Sequence, residues 1–355
     1  MFRTLMTVTL AVSALPACEG ADRPLAEPAG GSAQVFQPIR QGQSRYGWEW
    51  LAQQQDKNGD AKVTREEFSG SPEHYRRLDL TWDGQLTADD FDWSTDGPLT
   101  RRKETAFALF KPIDTSSNGR ISAEEWQAVF VREAGEKGYL DDADLERLVF
   151  LPRVVKTQRE RKGRFQHREL LLDYGEEVRR VPAVDELAPD FTLSSSDGRQ
   201  SVQLSSFRGE KPVVLIFGCL TCGNYRTYTE TLEVLYQHYK NEVEFLRVYV
   251  REAHPSDDQN VSSTNAAAGI LIQQPKTLEE RCSVADRFTS EMKIQTPMVV
   301  DGIDNEVGRT YGGWPDRLYV IDRGGKVAFQ GGPGPFAFNP REMEQALLLL
   351  LLAEK

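Results

Sequence analysis

The chain has 355 residues, enough for two or three domains, and its 39% hydrophobic and 10% aromatic content suits globular packing. A net charge of −11 excludes the basic face that a nucleic-acid partner requires and suits cation loops built from carboxylates. Four cysteines, Cys18, Cys219, Cys222 and Cys282, are too few for a disulfide-stapled scaffold, so each needs its own account.

Arg3 followed by the short apolar run 5–15 reads as an export signal, too short to span a bilayer. Leu15-Pro16-Ala17-Cys18 resembles a bacterial lipoprotein box, with Cys18 as the lipidated first residue of the mature protein. Pro16 departs from the usual small residue there, and an ordinary secretory signal is the other reading. Both place the protein outside the cytoplasm, in a bacterial periplasm or cell envelope, with membrane contact only through the lipid. Residues 19–45, rich in Pro, Gly, Ala and Gln, are expected to be a flexible linker.

Three acidic segments place oxygen donors at positions 1, 3, 5, 7, 9 and 12, with a turn residue at 6 and an apolar residue at 8. Segment 56–67 offers Asp56, Asn58, Asp60, the Lys62 carbonyl, Thr64 and a bidentate Glu67. Ala61 stands at its turn, where a left-handed conformation costs about 1–2 kcal/mol. Segment 79–90 offers Asp79, Thr81, Asp83, the Gln85 carbonyl, Thr87 and Asp90, with Gly84 at the turn. Asp90 is one methylene shorter than Glu, which weakens calcium relative to magnesium. Segment 114–125 offers Asp114, Ser116, Asn118, the Arg120 carbonyl, Ser122 and Glu125, with Gly119 at the turn. Its two acidic ligands make it the weakest. These segments resemble EF-hand loops, which implies an all-α module over 46–174 holding two or three calcium ions. A degenerate fourth loop over 158–169, pairing with the third through position 8, competes with a basic helical connector. The first two loops leave room for one short helix, over 66–78, which favours a rigid unit over an opening sensor.

After a linker, 175–187, the pattern becomes strand-like. Strands are expected over 188–193, 202–207, 213–217 and 243–250, helices over 223–239 and 277–292, and a polar loop over 251–274. A strand over 298–300, a hairpin of 318–321 with 326–330 and a helix over 340–352 complete the chain. Six consecutive leucines, 347–352, imply a helix packed on both sides, or else a contact with a second copy of the chain or a loose touch on a membrane. The buried strand 213–217 ends in Gly218-Cys219-Leu220-Thr221-Cys222. A thiol pair between a central strand and a helix is the thioredoxin arrangement, where the positive helix end stabilises a thiolate. The fold class is therefore multidomain, the EF-hand module being followed by an α/β thioredoxin-like domain over 188–355 with a mixed central sheet. Such folds place a cis-proline opposite the active cysteine, here Pro315, with Pro297 a rival in the wrong strand.

From Pro212 onward the chain carries Phe217-Gly218-x-x-Thr221-Cys222, Glu252-Ala253-His254-Pro255-Ser256-Asp257, Thr296-Pro297-Met298-Val299-Val300-Asp301 and Pro315-Asp316-Arg317-Leu318-Tyr319-Val320-Ile321. In these residues, their order and their spacing it resembles the iodothyronine deiodinases. In that family a selenocysteine at the position of Cys222 attacks iodine, in a reductive removal of iodide that needs an external thiol. The resemblance implies a catalytic role for His254, and substrate or proton handling by Arg317 and Glu252. This chain departs by carrying Cys222 itself, Cys219 in place of Ser, Leu220 in place of Cys, and Asp258-Gln259 in place of Gly-Trp.

Either cysteine of the pair could attack: Cys222 by the deiodinase likeness, with Cys219 resolving, or Cys219 by the thioredoxin likeness. Cys282 is expected to pack in a helix. His254 is either a general acid or a loop residue bonded to backbone. Arg317 either holds a substrate anion or pairs with Asp301 or Asp316. Thr221 is expected to hydrogen-bond the thiolate and Tyr225 to line the groove, both with packing as the other reading. Three functions compete: reductive dehalogenation of an iodothyronine-like aromatic, general thiol–disulfide or peroxide chemistry, and a non-enzymatic calcium-dependent binding protein. The partners implied are a small-molecule or thiol substrate and a redox partner protein. The linker over 179–186 implies weak coupling between calcium and the thiols.

Overall fold

The computed structural model describes residues 42–149, 180–258, 261–335 and 337–355. The expected signal, Cys18, all but the last residues of the linker 19–45 and the fourth loop at 158–169 lie outside the described residues.

The chain enters as β1 (Gln43–Ser44), then α1 (Trp48–Gln55), whose C-cap Asp56 begins the first acidic loop. α2 (Pro72–Leu78) starts at Ser71, whose hydroxyl accepts the His74 N–H, and ends at Asp79, the first residue of the second loop. This helix is shorter than the expected 66–78, because Pro72 at its first turn sets a new start. A 3₁₀ turn (Ala88–Phe91), α3 (Pro98–Phe110), α4 (Ala123–Ala134) and α5 (Asp142–Val149) follow. Positions 9 and 12 of the second and third loops also act as capping boxes, Thr87 with Asp90 and Ser122 with Glu125.

The second half runs β2 (Thr192–Ser194), β3 (Ser201–Gln203), β4 (Val213–Gly218), α6 (Gly223–Tyr239), β5 (Glu244–Tyr249), α7 (Ser263–Ala267) and α8 (Leu278–Met292). It ends with β6 (Met298–Val300), α9 (Glu306–Tyr311), β7 (Arg317–Ile321), β8 (Val327–Gln330) and α10 (Pro340–Ala353). The strands form one mixed sheet in the order β1-β8-β7-β4-β5-β6-β2-β3. β4 lies parallel to β5 and antiparallel to β7, and β5 lies parallel to β6. A parallel β4-α6-β5 unit beside an antiparallel β7–β8 hairpin is a thioredoxin-like fold.

Two expected linkers are corrected. Gln43 and Ser44 pair with β8, and Arg45 bonds Asp185 and Asp322, so the end of 19–45 belongs to the sheet. Residues 182–188 run along the β7–β8 hairpin, with Asp185 N–H on Val327 O at 2.9 Å and Ala188 N–H on Gly325 O at 2.9 Å. The polar loop 251–274 contains α7, started by Ser262.

The leucine run is explained by α10 lying between the sheet and the first-half helices. Leu347 to Leu351 are all buried. On the far side Gln345 donates to Asp90 O at 2.7 Å and accepts from Trp93 Nε1 at 3.0 Å, and Glu344 accepts from Arg77 of α2 at 2.5 Å. Leu51, Val63, Phe68, Tyr75, Leu78 and Leu86 join the same apolar core as the sheet. Among the described residues no helix is long and apolar enough to cross a membrane.

Candidate active site and cation loops

β4 is buried along its whole length and delivers the two cysteines to the centre of the sheet's end. Gly218 is required there, because a Cβ would lie 2.4 Å from the Tyr225 ring. Cys222 is the N-cap of α6, so its sulfur meets the positive helix end. Burial opposes that effect. Cys219 is 0% exposed and Cys222 3%, and desolvation pushes both thiols well above their usual range. Both are free thiols in this structure.

The residue against Cys222 is one that sequence reasoning assigned no site role. Cys222 Sγ lies 3.5 Å from Asp316 Oδ2, which also accepts from Asn224 Nδ2 at 2.7 Å. Asp316 is 0% exposed, follows the cis Trp314–Pro315 bond expected at this place, and immediately precedes β7. Its Oδ1 has no hydrogen-bond partner among the described residues. Burial raises its pKa to about 6. The only advance signal was an acid beside the proline facing the thiols.

Cys219 belongs to a different network. Its Sγ is 3.9 Å from the Thr221 hydroxyl. Thr221 N–H donates to Glu252 Oε2 at 2.9 Å, and its hydroxyl accepts the N–H groups of Ala253 and His254, each at 3.0 Å. Glu252 is fully buried, accepts from Tyr249 at 2.5 Å, and has its pKa raised chiefly by desolvation. So Thr221 meets Cys219, where contact with the attacking thiolate was expected. The His254 backbone is fixed to the C-x-x-C turn, and its side chain is half-buried.

Two expectations are corrected. Arg317 is buried, and its guanidinium donates to Gly331 O at 2.7 Å and Gly312 O at 3.5 Å. It holds backbone, with neither of the expected acids as partner: Asp301 caps α9 through Val307 and Gly308. Tyr225 packs rather than lining a groove, its hydroxyl accepting from Arg247 at 2.6 Å. Cys282 is half-buried against the core, as expected of a helix packing residue.

The three acidic loops share one backbone pattern. Position 6 is left-handed in each, at Ala61 (φ 61°), Gly84 (φ 84°) and Gly119 (φ 79°), so the cost at Ala61 is real. Position 4 is left-handed as well, at Gly59, Trp82 and Ser117. The position-1 carboxylate accepts the position-6 N–H in each: Asp56 from Ala61 at 3.0 Å, Asp79 from Gly84 at 3.0 Å, Asp114 from Gly119 at 2.9 Å. The position-12 carboxylate accepts the position-9 N–H: Glu67 from Thr64 at 2.9 Å, Asp90 from Thr87 at 2.8 Å, Glu125 from Ser122 at 2.9 Å. Ligand positions touch in pairs: Asn58 with Asp60 (3.2 Å), Thr81 with Asp79 (3.4 Å), Ser116 with Asp114 (3.4 Å). Among the described residues no three carboxylate, imidazole or thiol groups gather at one point. Val63 and Leu86, both at position 8, exchange two backbone hydrogen bonds, pairing the first loop with the second.

The third loop rests on α6. A Cβ at Gly119 would lie 2.3 Å from Arg226 O. Arg226, 1% exposed, donates from Nε to Ser117 O at 3.0 Å and from its two terminal nitrogens to Leu220 O and to Asn265 Oδ1. Asn265 returns a bond to Thr221 O at 2.8 Å. One buried guanidinium thus joins the third acidic loop to the C-x-x-C turn.

The EF hand family profile matches residues 108–131, which contain the third loop. The chain is 31% identical over 157 residues to thyroxine 5-deiodinase of Ovis aries, covering 44% of this chain and 52% of that protein. It is 28% identical over 155 residues to type II iodothyronine deiodinase of Rattus norvegicus, covering 43% and 58%. The chain spans about half the length of the curated relatives it matches. A solved thioredoxin domain of a thiol-disulfide oxidoreductase from Bacteroides vulgatus is similar at 22% identity and a TM-score of 0.32, covering 46% of this chain and 97% of that one. The iodothyronine deiodinase profile matches residues 167–349, which is more than half of the chain and takes in β4, both thiols, Glu252, Asp316 and most of α10, so the chain belongs to the iodothyronine deiodinase family.

Proposed function

We propose that the chain is an exported calcium-binding protein whose thioredoxin-like domain is a thiol-dependent oxidoreductase acting through Cys222, with reductive dehalogenation of an iodothyronine-like aromatic as its reaction. The observation that carries this reading is Cys222 at the start of α6, touching a buried acid, in a chain of the deiodinase family. The Cys222 thiolate attacks iodine. The C–I electron pair goes to the ring carbon, which takes up a proton, and an S–I bond is left on Cys222. The Cys219 thiol then attacks the Cys222 sulfur, so that a disulfide forms and iodide and a proton leave. An external thiol reductant supplies two electrons and two protons to restore both thiols. Glu252 holds the turn between the cysteines through Thr221, and His254 is tied to the same turn.

Iodide release from iodinated phenols in the presence of a dithiol tests the reaction, with Cys222→Ser expected at background. The second reading, general thiol–disulfide exchange or peroxide reduction, is favoured by Cys219, which completes the C-x-x-C. Disulfide or peroxide reduction without iodide release would select it.

Two or three calcium ions are assigned to the loops at Asp56–Glu67, Asp79–Asp90 and Asp114–Glu125. A bound calcium would supply charge neutralisation and hold each loop's carboxylates and carbonyls in place. Calcium titration by calorimetry counts the sites. Export and lipidation at Cys18 are supported by the N-terminal sequence, and mass spectrometry of the mature N-terminus tests them.

A further inference from the structure

We propose that Asp316 is the proton acceptor that activates Cys222, oriented by Asn224 and by the close approach of Gly334. The proposal rests on reading Cys222 as the attacking thiol and adds the group that makes attack feasible from a buried site. The step is a transfer within one hydrogen bond: the S–H bond of Cys222 breaks, an O–H bond forms on Asp316, and the sulfur keeps the electron pair. The same proton is then available to the atom that leaves as the electrophile is cleaved. No external oxidant or base enters.

Three observations place Asp316 in this role. It is the acid in contact with Cys222, at 3.5 Å, and lies wholly inside the protein. Asn224, two residues into the active helix, donates to the same oxygen that faces the sulfur, and so fixes its direction. Gly334 N–H bonds Asp316 O at 3.0 Å, and a Cβ at Gly334 would sit 1.2 Å from Oδ1. The position without a side chain is what leaves room for the carboxyl. Oδ1 has no hydrogen-bond partner among the described residues, as a group that gains and loses a proton allows.

The charged surroundings favour a shared proton. Lys103 of α3 acts on Asp316, and Tyr228 of α6 lies within its field. Cys222 faces Arg226 and Cys219 as well as Asp316. Above about pH 6 the Cys222–Asp316 pair holds one proton, and the fraction with that proton on oxygen carries a thiolate. A carboxylate that only repelled the sulfur would do the opposite, because its charge raises the thiol.

That opposition makes the test a matter of sign. The full chain is alkylated with iodoacetamide from pH 5 to 10, and Cys222 is followed by peptide mass mapping. The wild-type rate is expected to show a lower limb near pH 6. In Asp316→Asn the limb disappears and the neutral-pH rate falls about tenfold or more. If Asp316→Asn alkylates as fast or faster at neutral pH, with the profile merely displaced downward, the carboxylate is only a repelling charge and the proposal is overturned. Asn224→Ala serves as a second variant should Asp316→Asn not fold. Loss of the amide raises the carboxyl, so the limb moves to higher pH, and an unmoved limb overturns the proposal. Wild-type Cys222 inert at every pH would defeat both this proposal and the attacking role. An unchanged Asp316→Asn profile beside continued wild-type iodide release would defeat this one alone.

Discussion

Calcium in the third loop is expected to speed the reaction of Cys222, and Arg226 sets the size of the effect. The perturbation is Glu125→Gln, which removes the carboxylate proposed as the bidentate ligand of that loop while leaving α6 untouched. The Ser117 carbonyl, between ligand positions 3 and 5, accepts from Arg226 Nε at 3.0 Å, and the same guanidinium holds Leu220 O. A hydrogen bond with a charged partner contributes about 1.5–3 kcal/mol, and calcium can transmit only the part that differs between its bound and free states. Taking the lower figure as the ceiling, the coupling is about tenfold. The sign is positive, because an ion that neutralises Asp114 and Glu125 removes negative charge from the neighbourhood of the thiols. The assay is the iodoacetamide rate of Cys222 at pH 8 with calcium and with chelator. Wild type should quicken about 3–10-fold with calcium, and Glu125→Gln should not. Calorimetry of calcium at the third loop before and after alkylation of Cys222 reads the coupling of the two sites as a change in affinity, independently of thiol kinetics. Calcium bound at the third loop with less than about twofold change in rate would refute the reasoning. The weak coupling expected from a flexible linker would then hold, despite the direct contact.

Three further outcomes follow from buried polar groups and backbone strain. Arg247 is 0% exposed and pairs with Glu233 at 3.0 Å, while Glu233 also accepts from Gln295 and Thr296. Glu233→Gln should cost about 3–5 kcal/mol in urea unfolding by leaving a buried cation unpaired, and a loss below about 1 kcal/mol would contradict this. Ala61→Gly should relieve about 1 kcal/mol of left-handed strain and raise the melting temperature of the calcium-free protein; no gain would mean that Ala61 is not held there in solution. Glu342 is buried and its pKa is raised from 4.5 to about 7, mainly by desolvation. A raised carboxyl stabilises below its unfolded pKa and loses that contribution as pH climbs through the folded one. Stability should therefore fall between about pH 4.5 and 7, by up to about 3 kcal/mol. Glu342→Gln should flatten that fall in melting curves across pH.

What the sequence revealed was whatever is written in local spacing. The bounds of α6 follow from an apolar strand, a cysteine pair and a helical run of Tyr and Leu, and the structure places the helix at Gly223–Tyr239 as read. The acidic loops were legible because twelve consecutive positions carry the whole pattern, down to the strained Ala61. The leucine run was legible as a helix covered on both faces, though not the identity of its second cover. What depended on distance in three dimensions was not legible. Asp316 is 94 positions from Cys222, and only the β4–β7 pairing brings them together. Arg226 reads as an ordinary helix cation until Ser117, Leu220 and Asn265 are seen around it. Arg317 looks like an anion binder by type, yet two glycine carbonyls occupy it. β1 and α9 were missed because two and six residues carry too little pattern to read.

The opposing effects at Cys222 decide what kind of thiol it is. A helix N-terminus favours the thiolate by about 0.3–1 kcal/mol, or about 2 kcal/mol where partly buried. Complete burial disfavours it by up to about 3–5 pKa units, several kcal/mol. Burial wins and favours the protonated thiol inside the core, which slows oxidation because the thiolate is the form that attacks an oxidant. A site arranged this way does not rely on a low thiol pKa. It needs a base that is itself buried, close and only weakly basic, so that the proton moves over one bond when an electrophile arrives. Asp316, Asn224 and Gly334 come from three separate segments and meet at that point. Their convergence is difficult to account for by packing alone, since an apolar residue at 316 would leave neither an orphaned buried oxygen nor a carboxyl to desolvate.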